Sequence, residues 1–538
     1  MTARIAIIGA GAAGLGAAWF LRQQQDAGAD LEFRVYDQDT RTGGKVAGET
    51  VPDPVTGKPW LIDGGPDCFS AYKQAPTRIA RELGFEDDLL PSDMRRRGTW
   101  IVRDGRPHRL PEGFRLFIPT QMRPLLETEL LSEEGKRRML EELWAPQKVL
   151  APGEPNEESL EGFIVRRFGR ETLDYFAEPF IGGVHAGDPK TMSLGASFPS
   201  YLEMEQSSGS LIRGTILAEA RRSATRADHD PDEKPQSVFS TFKGGLQQLT
   251  DALTAAIGVE RFCLNTRIRD LRQDPHALQE EAVGGARSRT RATPPAASLS
   301  AAFSFTAEHL EPQPVDAHAA HPGDVDPHPP RVVSVEQVEV DAVIIATESF
   351  AGAALTRALD PRLSELYASI PCSSSATASF GFDEATLGLS LDGFGILVPE
   401  VEGRDLLALT FSSSKWQGHA PQGRVLLRGF AGTPLNQTVM ERSDAELTAL
   451  MLAEIRDILG LDPSIEPLFS RFYRWTGGMA QYTLGHEQRV AEIDRRVAAR
   501  PGLAVAGGCF RGIGVPNCLD GGRQAAEKLL ADLQIGVR

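Results

Sequence analysis

Arg4-Ile5-Ala6-Ile7-Ile8 runs straight into Gly9-Ala10-Gly11-Ala12-Ala13-Gly14, and the reading of this stretch decides the fold. The short apolar run reads as a buried strand, and Leu15 to Leu21 continues as a helix. The alternation Leu31-Glu32-Phe33-Arg34-Val35-Tyr36 reads as a second strand, ending on Asp37. In such a turn the glycines have separate tasks. Gly9 permits the tight reversal, Gly11 lets backbone N–H groups approach a pyrophosphate, and Gly14 lets the helix pack closely on the strand. The helix N-terminus adds partial positive charge for the phosphates. Asp37, about twenty residues past the last glycine, is spaced to hold a ribose hydroxyl. A dinucleotide is therefore the expected ligand of this unit.

The 538 residues are too many for one simple core, so two or three domains are expected. A formal net charge of −16 argues against a general nucleic-acid binder while leaving room for a local basic pocket. No apolar stretch approaches the roughly 18 residues that a transmembrane helix needs. With the first strand beginning at Arg4, no signal peptide is expected and the cytoplasm is the expected location. Cys68, Cys263, Cys372, Cys509 and Cys518 are odd in number and lack metal-ligand spacing, so they read as reduced thiols and no metal site is expected.

After the second strand the chain reads Arg41-Thr42-Gly43-Gly44-Lys45, and a further glycine pair follows in Leu61-Ile62-Asp63-Gly64-Gly65-Pro66. Paired glycines allow close backbone approach, and Lys45 supplies charge. This R-x-G-G-K form resembles the fingerprint of FAD enzymes in the amine oxidase, phytoene desaturase and protoporphyrinogen oxidase superfamily. Two linked signals favour FAD over NAD.

A more specific resemblance lies mid-chain. Ser159, Phe163 and Arg166-Arg167-Phe168-Gly169 precede Glu178-Pro179-Phe180-Ile181-Gly182-Gly183-Val184-His185-Ala186-Gly187-Asp188-Pro189 and Met192-Ser193-Leu194. Taken as residues, these glycines indicate only sharp turns or close backbone approach. As an ordered series they resemble the oxygen-dependent porphyrinogen oxidases of haem synthesis. The closing segments, Arg474 to His486 and Leu503 to Arg523, resemble the same family, with Ala480 in place of its usual proline and Gly508-Cys509 where many flavoproteins carry an acid.

The resemblance implies FAD contacts from Gly9, Gly11, Ala12, Ala13, Gly14, Asp37, Gln38, Arg41, Gly44, Lys45, Asp63, Gly64, Gly65, Pro66, Ile268, Trp475, Gly508, Gly514 and Val515. It implies six-electron oxidation of protoporphyrinogen IX to protoporphyrin IX, with dioxygen as acceptor, hydrogen peroxide as by-product and hand-over of product to a ferrochelatase. Coproporphyrinogen III, with four propionates instead of two, is the alternative substrate. The flavin N5 would take the hydride, so no catalytic side chain is expected. Arg95, Arg96, Arg97, Arg103, Arg106 and Arg109 crowd one stretch. Such runs are commonly solvated, but Arg97 is the leading propionate partner by resemblance, with Arg96 or Arg95 next. A flat substrate also needs apolar walls, expected from the Phe-rich sheet after residue 376. An amine oxidase or carotenoid desaturase would share the FAD motifs without the mid-chain series, and a non-enzymatic FAD-binding partner protein is the third reading.

The expected architecture is α/β multi-domain. A discontinuous Rossmann-like FAD-binding domain spans 1–90, 238–350 and 479–538. A mainly helical domain spans 91–237, and a mixed-sheet substrate domain spans 351–478. Residues 273–331, rich in Pro, Ala, Asp and His, are expected to be a disordered insertion. His309, His318, His321 and His328 fall within it. The apolar group Phe114, Leu116, Phe117 and Ile118 reads either as core or, with the 114–150 region, as a peripheral membrane contact.

Overall fold

The computed structural model describes residues 2–149, 157–226, 237–274, 302–312, 330–389 and 391–536. The N-terminal reading holds closely. Ala3–Ile8 (β1), Ala12–Asp26 (α1), Leu31–Tyr36 (β2), Phe262–Cys263 (β3), Ala342–Ile345 (β4) and Leu503–Val505 (β5) include a five-stranded parallel sheet of order β3-β2-β1-β4-β5. Both faces are covered, which is why β1 and β4 are apolar nearly throughout instead of alternating. One face packs Ile5, Ile7 and Ile344 against α1, the helix Gln247–Ile257 and the C-terminal helix Val515–Asp532. The other packs Ile8, Val343 and Ile345 against Phe303, Phe305 and the helices Ser349–Thr356, Pro361–Ala368 and His486–Ala498. Each fully buried Ile or Phe contributes about 1.5–3 kcal/mol of transfer free energy.

The stretch 273–331 does not read uniformly as disorder. Phe303–Leu310 is the central strand of an antiparallel sheet between Thr266–Gln273 and Val332–Val340, with Phe303, Phe305 and Ala307 buried. Averaged composition concealed the strict alternation Phe303-Ser304-Phe305-Thr306-Ala307, whose apolar residues reach the sheet beneath. Residues 275–301 and 313–329, with His318, His321 and His328, lie outside the described residues. His309 sits in the strand beside Thr266 (3.3 Å) and Glu336 (3.6 Å).

The second large sheet has seven strands, in the order 469–480, 372–383, 424–431, 406–411, 395–397, 99–103 and 106–109. Its last two strands come from the stretch expected to belong to the helical domain, so the arginine-rich run is the sheet's edge hairpin. The outer face carries Phe380, Phe382, Phe411, Val425 and Leu427 against the helix Asp444–Leu459. This corrects the expectation that the Phe-rich strands wall the substrate site, since alternation turns those rings away. The helical part, with Phe114, Phe117 and Ile118 in its core, packs on the inner face at Ile101 and Leu397. Those three residues are core, whereas Leu116, Met122, Leu126 and Trp144 are exposed. No helix among the described residues is long and apolar enough to cross a membrane.

Candidate active site

The first glycine turn is built from backbone contacts. Gly9 has φ +110°, and a Cβ there would meet the Ala346 carbonyl at the end of β4; a Cβ on Gly14 would collide with the Gly9 carbonyl. Gly11 differs, since a Cβ on it would meet only the Gly44 Cα, at 3.9 Å. Gly11 bridges to Gly43, and Gly43 N–H donates to the Ala10 carbonyl at 2.9 Å, which brings the R-x-G-G-K turn onto the first glycine turn. Arg41 shapes that turn from inside, donating to the carbonyls of Thr42, Gly44 and Val46. Lys45 Nζ reaches Glu348 at 2.9 Å. Burial alone would lower the Lys45 pKa, but the Glu348 carboxylate overrides it and the ammonium is held above its ordinary value.

Asp37 stands at the end of β2 as expected, accepting from the N–H groups of Ala10 (2.6 Å) and Asp39 (2.9 Å). Burial raises its carboxyl pKa against the pull of those two donors, and burial with Asp37 beside it pushes Asp39 up to about 7. Gln38 is exposed next to them. Asn265 and Thr266 N–H groups tie to the carbonyls of Asp39 and Asp37, so the strand carrying Ile268 abuts the same turn; Ile268 pairs with Ala307.

Two helices with open N-termini pack on each other beside this cradle. Gly11 caps α1 and Gly514 caps Val515–Asp532; neither is capped by a side chain, and neither first turn carries an acid. The helices cross where Gly16 lies against the Leu519 carbonyl and Gly522 against the Ala13 carbonyl. At 1.5 Å per residue, both N-termini lie within about two turns of the crossing. Two uncapped positive ends, open space at Gly11 and a nearby ammonium are what a diphosphate and a flavin require.

The second glycine pair is held by side chains from the seven-stranded sheet. The Gly64 carbonyl accepts from Thr377 Oγ1 (2.8 Å), Arg428 Nη2 (2.9 Å) and Trp475 Nε1 (3.0 Å), and Arg428 also reaches the Gly65 carbonyl. Gly64 lies on the Tyr473 ring, and a Cβ on Gly65 would strike the Lys45 carbonyl. Pro66 leads to Asp67, whose carboxylate takes Lys415 Nζ (2.8 Å) and Trp416 Nε1 (3.1 Å). Burial would raise the Asp67 pKa, but Lys415 and Arg428 hold it well below the usual range. Asp63, buried and near Asp67, is pushed up to about 7, and burial pushes His419 down to about 4.

Thus Gly64, Gly65, Lys45 and Trp475 come together, as do Gly11, Gly43 and Gly44. Thr377, Asp67, Lys415 and Arg428 were missed. A lone Arg inside the apolar strand Arg424–Ala431 was the available signal.

The mid-chain series proves to be a bracket. Ser193 N–H donates to the Tyr482 carbonyl (2.7 Å), Leu484 N–H to Thr191 (2.9 Å) and Ser373 Oγ to Ala186 (3.1 Å). Tyr482 Oη in turn holds the Gly508 carbonyl at 2.8 Å. The helical part is thereby fixed to the loop after β5, close to Val515.

Across the inner face of the large sheet, Ser379, Arg428, Thr410, Gly395 and Thr99 stand in register, and beside them Thr377, Phe430, Ala408, Leu397 and Ile101. Thr410 and Phe430 are half-buried although their strands are central. This part of the inner face is therefore incompletely covered by the described residues, between the Gly64 loop bonded to Thr377 and Arg428 and the helical part packed on Ile101 and Leu397.

Of the arginine-rich hairpin, Arg95 pairs with Asp93, Arg103 with Asp104 and Glu171, and Arg109 with Asp392. Arg96 reaches Ser414 at 3.4 Å. Arg97 is exposed and makes no ion pair among the described residues. It lies two residues before Thr99 with extended backbone (φ −62°, ψ 125°).

The family model for flavin containing amine oxidoreductases matches residues 12–322 and 330–530. The coproporphyrinogen III oxidase of Bacillus subtilis is 25% identical, covering 98% of either chain. The mitochondrial protoporphyrinogen oxidase of Nicotiana tabacum is also 25% identical, over 99% of this chain and 95% of its own. A solved structure from Exiguobacterium sp. 255-15 matches with a TM-score of 0.76 at 24% identity, over 99% of either chain. Cyclohexylamine oxidase of Brevibacterium oxydans matches at 0.62 with 15% identity, over 99% of this chain and 100% of its own. Cradle, coverage and motif order agree: this chain is an FAD-dependent oxidoreductase and belongs to the flavin containing amine oxidoreductase family.

Proposed function

We propose that the chain oxidises a porphyrinogen to the porphyrin, using dioxygen. The observation that carries this reading is the incompletely covered inner face of the large sheet, where Thr99, Gly395, Thr410 and Phe430 stand together beside the strands that hold the Gly64 loop, a flat surface that suits a macrocycle. When bound, FAD supplies the hydride acceptor and passes the electrons on to dioxygen. The chain's own work is orientation, exclusion of water and charge complementarity. Arg97, by strand alternation on the inner side and without an ion pair, is offered to a substrate propionate. The FAD contacts proposed are the glycine turns at 9–14, 43–44 and 64–66, with Ala12, Ala13, Asp37, Gln38, Arg41, Lys45, Asp63, Ile268, Trp475, Gly508, Gly514 and Val515.

The resemblance implies protoporphyrinogen IX, whereas the crowded arginines from 95 to 109 favour coproporphyrinogen III. The relatives named coproporphyrinogen III oxidase, from Bacillus subtilis, Staphylococcus aureus and Propionibacterium freudenreichii, support coproporphyrinogen III as the preferred substrate. Aerobic incubation of the holoenzyme with each porphyrinogen, followed by porphyrin fluorescence, decides between them. Turnover of neither removes the reading. Arg97→Ala is expected to raise KM about tenfold or more, with kcat little changed, as loss of one charge-assisted bond implies. Exposed Leu116, Met122, Leu126 and Trp144 support peripheral contact with a membrane surface. Protein left wholly in solution on flotation with liposomes would count against that contact.

A further inference from the structure

We propose that Arg428 is a positioning residue for the flavin: reaching from the inner face of the large sheet, it fixes the Gly64-Gly65 backbone and brings a buried positive charge to the cofactor's edge. The inference rests on FAD lying beside that loop and needs no particular substrate.

Four observations support it. Arg428 is only 3% exposed, although it stands on a central strand beside half-buried Thr410 and Phe430. Its Nη2 donates to two successive carbonyls, so a single guanidinium nitrogen sets the orientation of both peptides. Its Nε is buried without a hydrogen-bond partner, which a residue kept solely for stability would be expected to satisfy. The carboxylate that acts on it most strongly is Asp67, ahead of Asp63, and Asp67 is already bonded to Lys415, so the two cations share that carboxylate. A buried cation with shared compensation favours added negative charge nearby, and transfer of electrons to a flavin adds it.

The same contact makes the inner face of the sheet and the cofactor loop one mechanical unit. Arg428 pairs in register with Thr410, and through Gly395 with Thr99, two residues from Arg97. The carbonyls it holds belong to the loop that packs on Lys45.

The test uses purified holoenzyme and two readouts besides turnover: FAD dissociation, followed by the recovery of flavin fluorescence, and the flavin midpoint potential, from dye-coupled reductive titration. Arg428→Met should weaken FAD binding at least tenfold and make the potential more negative. Arg428→Lys, which keeps the charge on a shorter side chain that falls short of the two carbonyls, should weaken binding while leaving the potential nearer the parent's. Unchanged affinity and potential in Arg428→Met, even with a lowered melting temperature, would reduce Arg428 to a packing role and overturn the proposal. If Arg428→Met cannot be recovered folded, Arg428→Lys and Thr377→Val decide, because Thr377 shares the Gly64 carbonyl: FAD affinity equal to the parent's in both overturns it. Parent protein that binds FAD yet oxidises no porphyrinogen would remove the substrate reading and leave this inference standing.

Discussion

The two outer glycine turns of the cofactor site do related work and are held by different means. At Gly9–Gly14 the closest neighbours are backbone: the Ala346 carbonyl, the Gly9 carbonyl and the Gly44 Cα. At Gly64 they are side chains from the distant sheet, Tyr473 against the Cα and Trp475, Thr377 and Arg428 on the carbonyl, while Gly65 keeps a backbone neighbour in the Lys45 carbonyl. A backbone obstacle cannot be trimmed, whereas a side-chain obstacle can. The first turn is therefore an invariant of the strand-turn-helix unit, and the second is a joint between two halves of the molecule.

The largest effect is expected where backbone meets backbone. Gly14→Ala drives a methyl into the Gly9 carbonyl, costing more than about 3 kcal/mol, and should give protein without bound flavin. The ratio of 450 to 280 nm absorbance reads this directly, and near-parental yellow protein would break the contrast. Gly64→Ala should lower FAD affinity about tenfold. Combination with Tyr473→Val should restore part of that loss, since it removes the ring the new methyl meets. Failure of this rescue would show that the second turn is as backbone-bound as the first.

Glu178 sharpens the comparison through pH. Burial pushes its carboxyl up to about 7, while Oε2 accepts from Glu400 N–H. A carboxyl pKa raised on folding favours the protonated form in the native state. The associated stability is present at low pH and is lost as pH rises from about 4.5 through about 7. Glu178→Gln should thus gain on the parent by about 2–3 kcal/mol between pH 5 and pH 8 in urea unfolding. A constant gap would mean that the carboxyl ionises freely. The smallest effect on the fold is expected from Gly11→Ala, whose methyl faces open space. Stability without cofactor should change by under about 1 kcal/mol, while FAD affinity falls more than tenfold because that space is where phosphate would lie. Equal loss in both measurements would argue that Gly11 serves packing alone.

This contrast also explains what could be read from the amino acids in advance. Strand, turn, helix and Asp37 were legible because their partners lie within one βαβ unit and obey fixed spacing. The Phe303–Leu310 strand was hidden in a stretch judged by composition, although its two-residue alternation was present. The aromatic strands were identified as strands, but their facing was misjudged, because alternation fixes two faces without saying which one a helix will cover. Thr377, Lys415 and Arg428 were out of reach because their importance depends on a loop more than 300 positions away in the chain. Glu178 to Leu194 was recognised as distinctive, yet its contacts with Tyr482, Leu484 and Ser373 are those of a clasp, and the open inner face is supplied by other strands.

The crossing of α1 with the C-terminal helix bears on how the protein is made. Gly16 and Ala13 wait for Leu519 and Gly522, and β1 waits for β4, before either is fully packed. At about 5–20 residues per second, a ribosome takes on the order of a minute to deliver the missing helix. During that interval the first strand and turn are exposed with one sheet edge unpaired, a state open to chaperones and to wrong partners. Flavin capture therefore waits for the helix Val515–Asp532, even though the glycine turn at 9–14 emerges long before it.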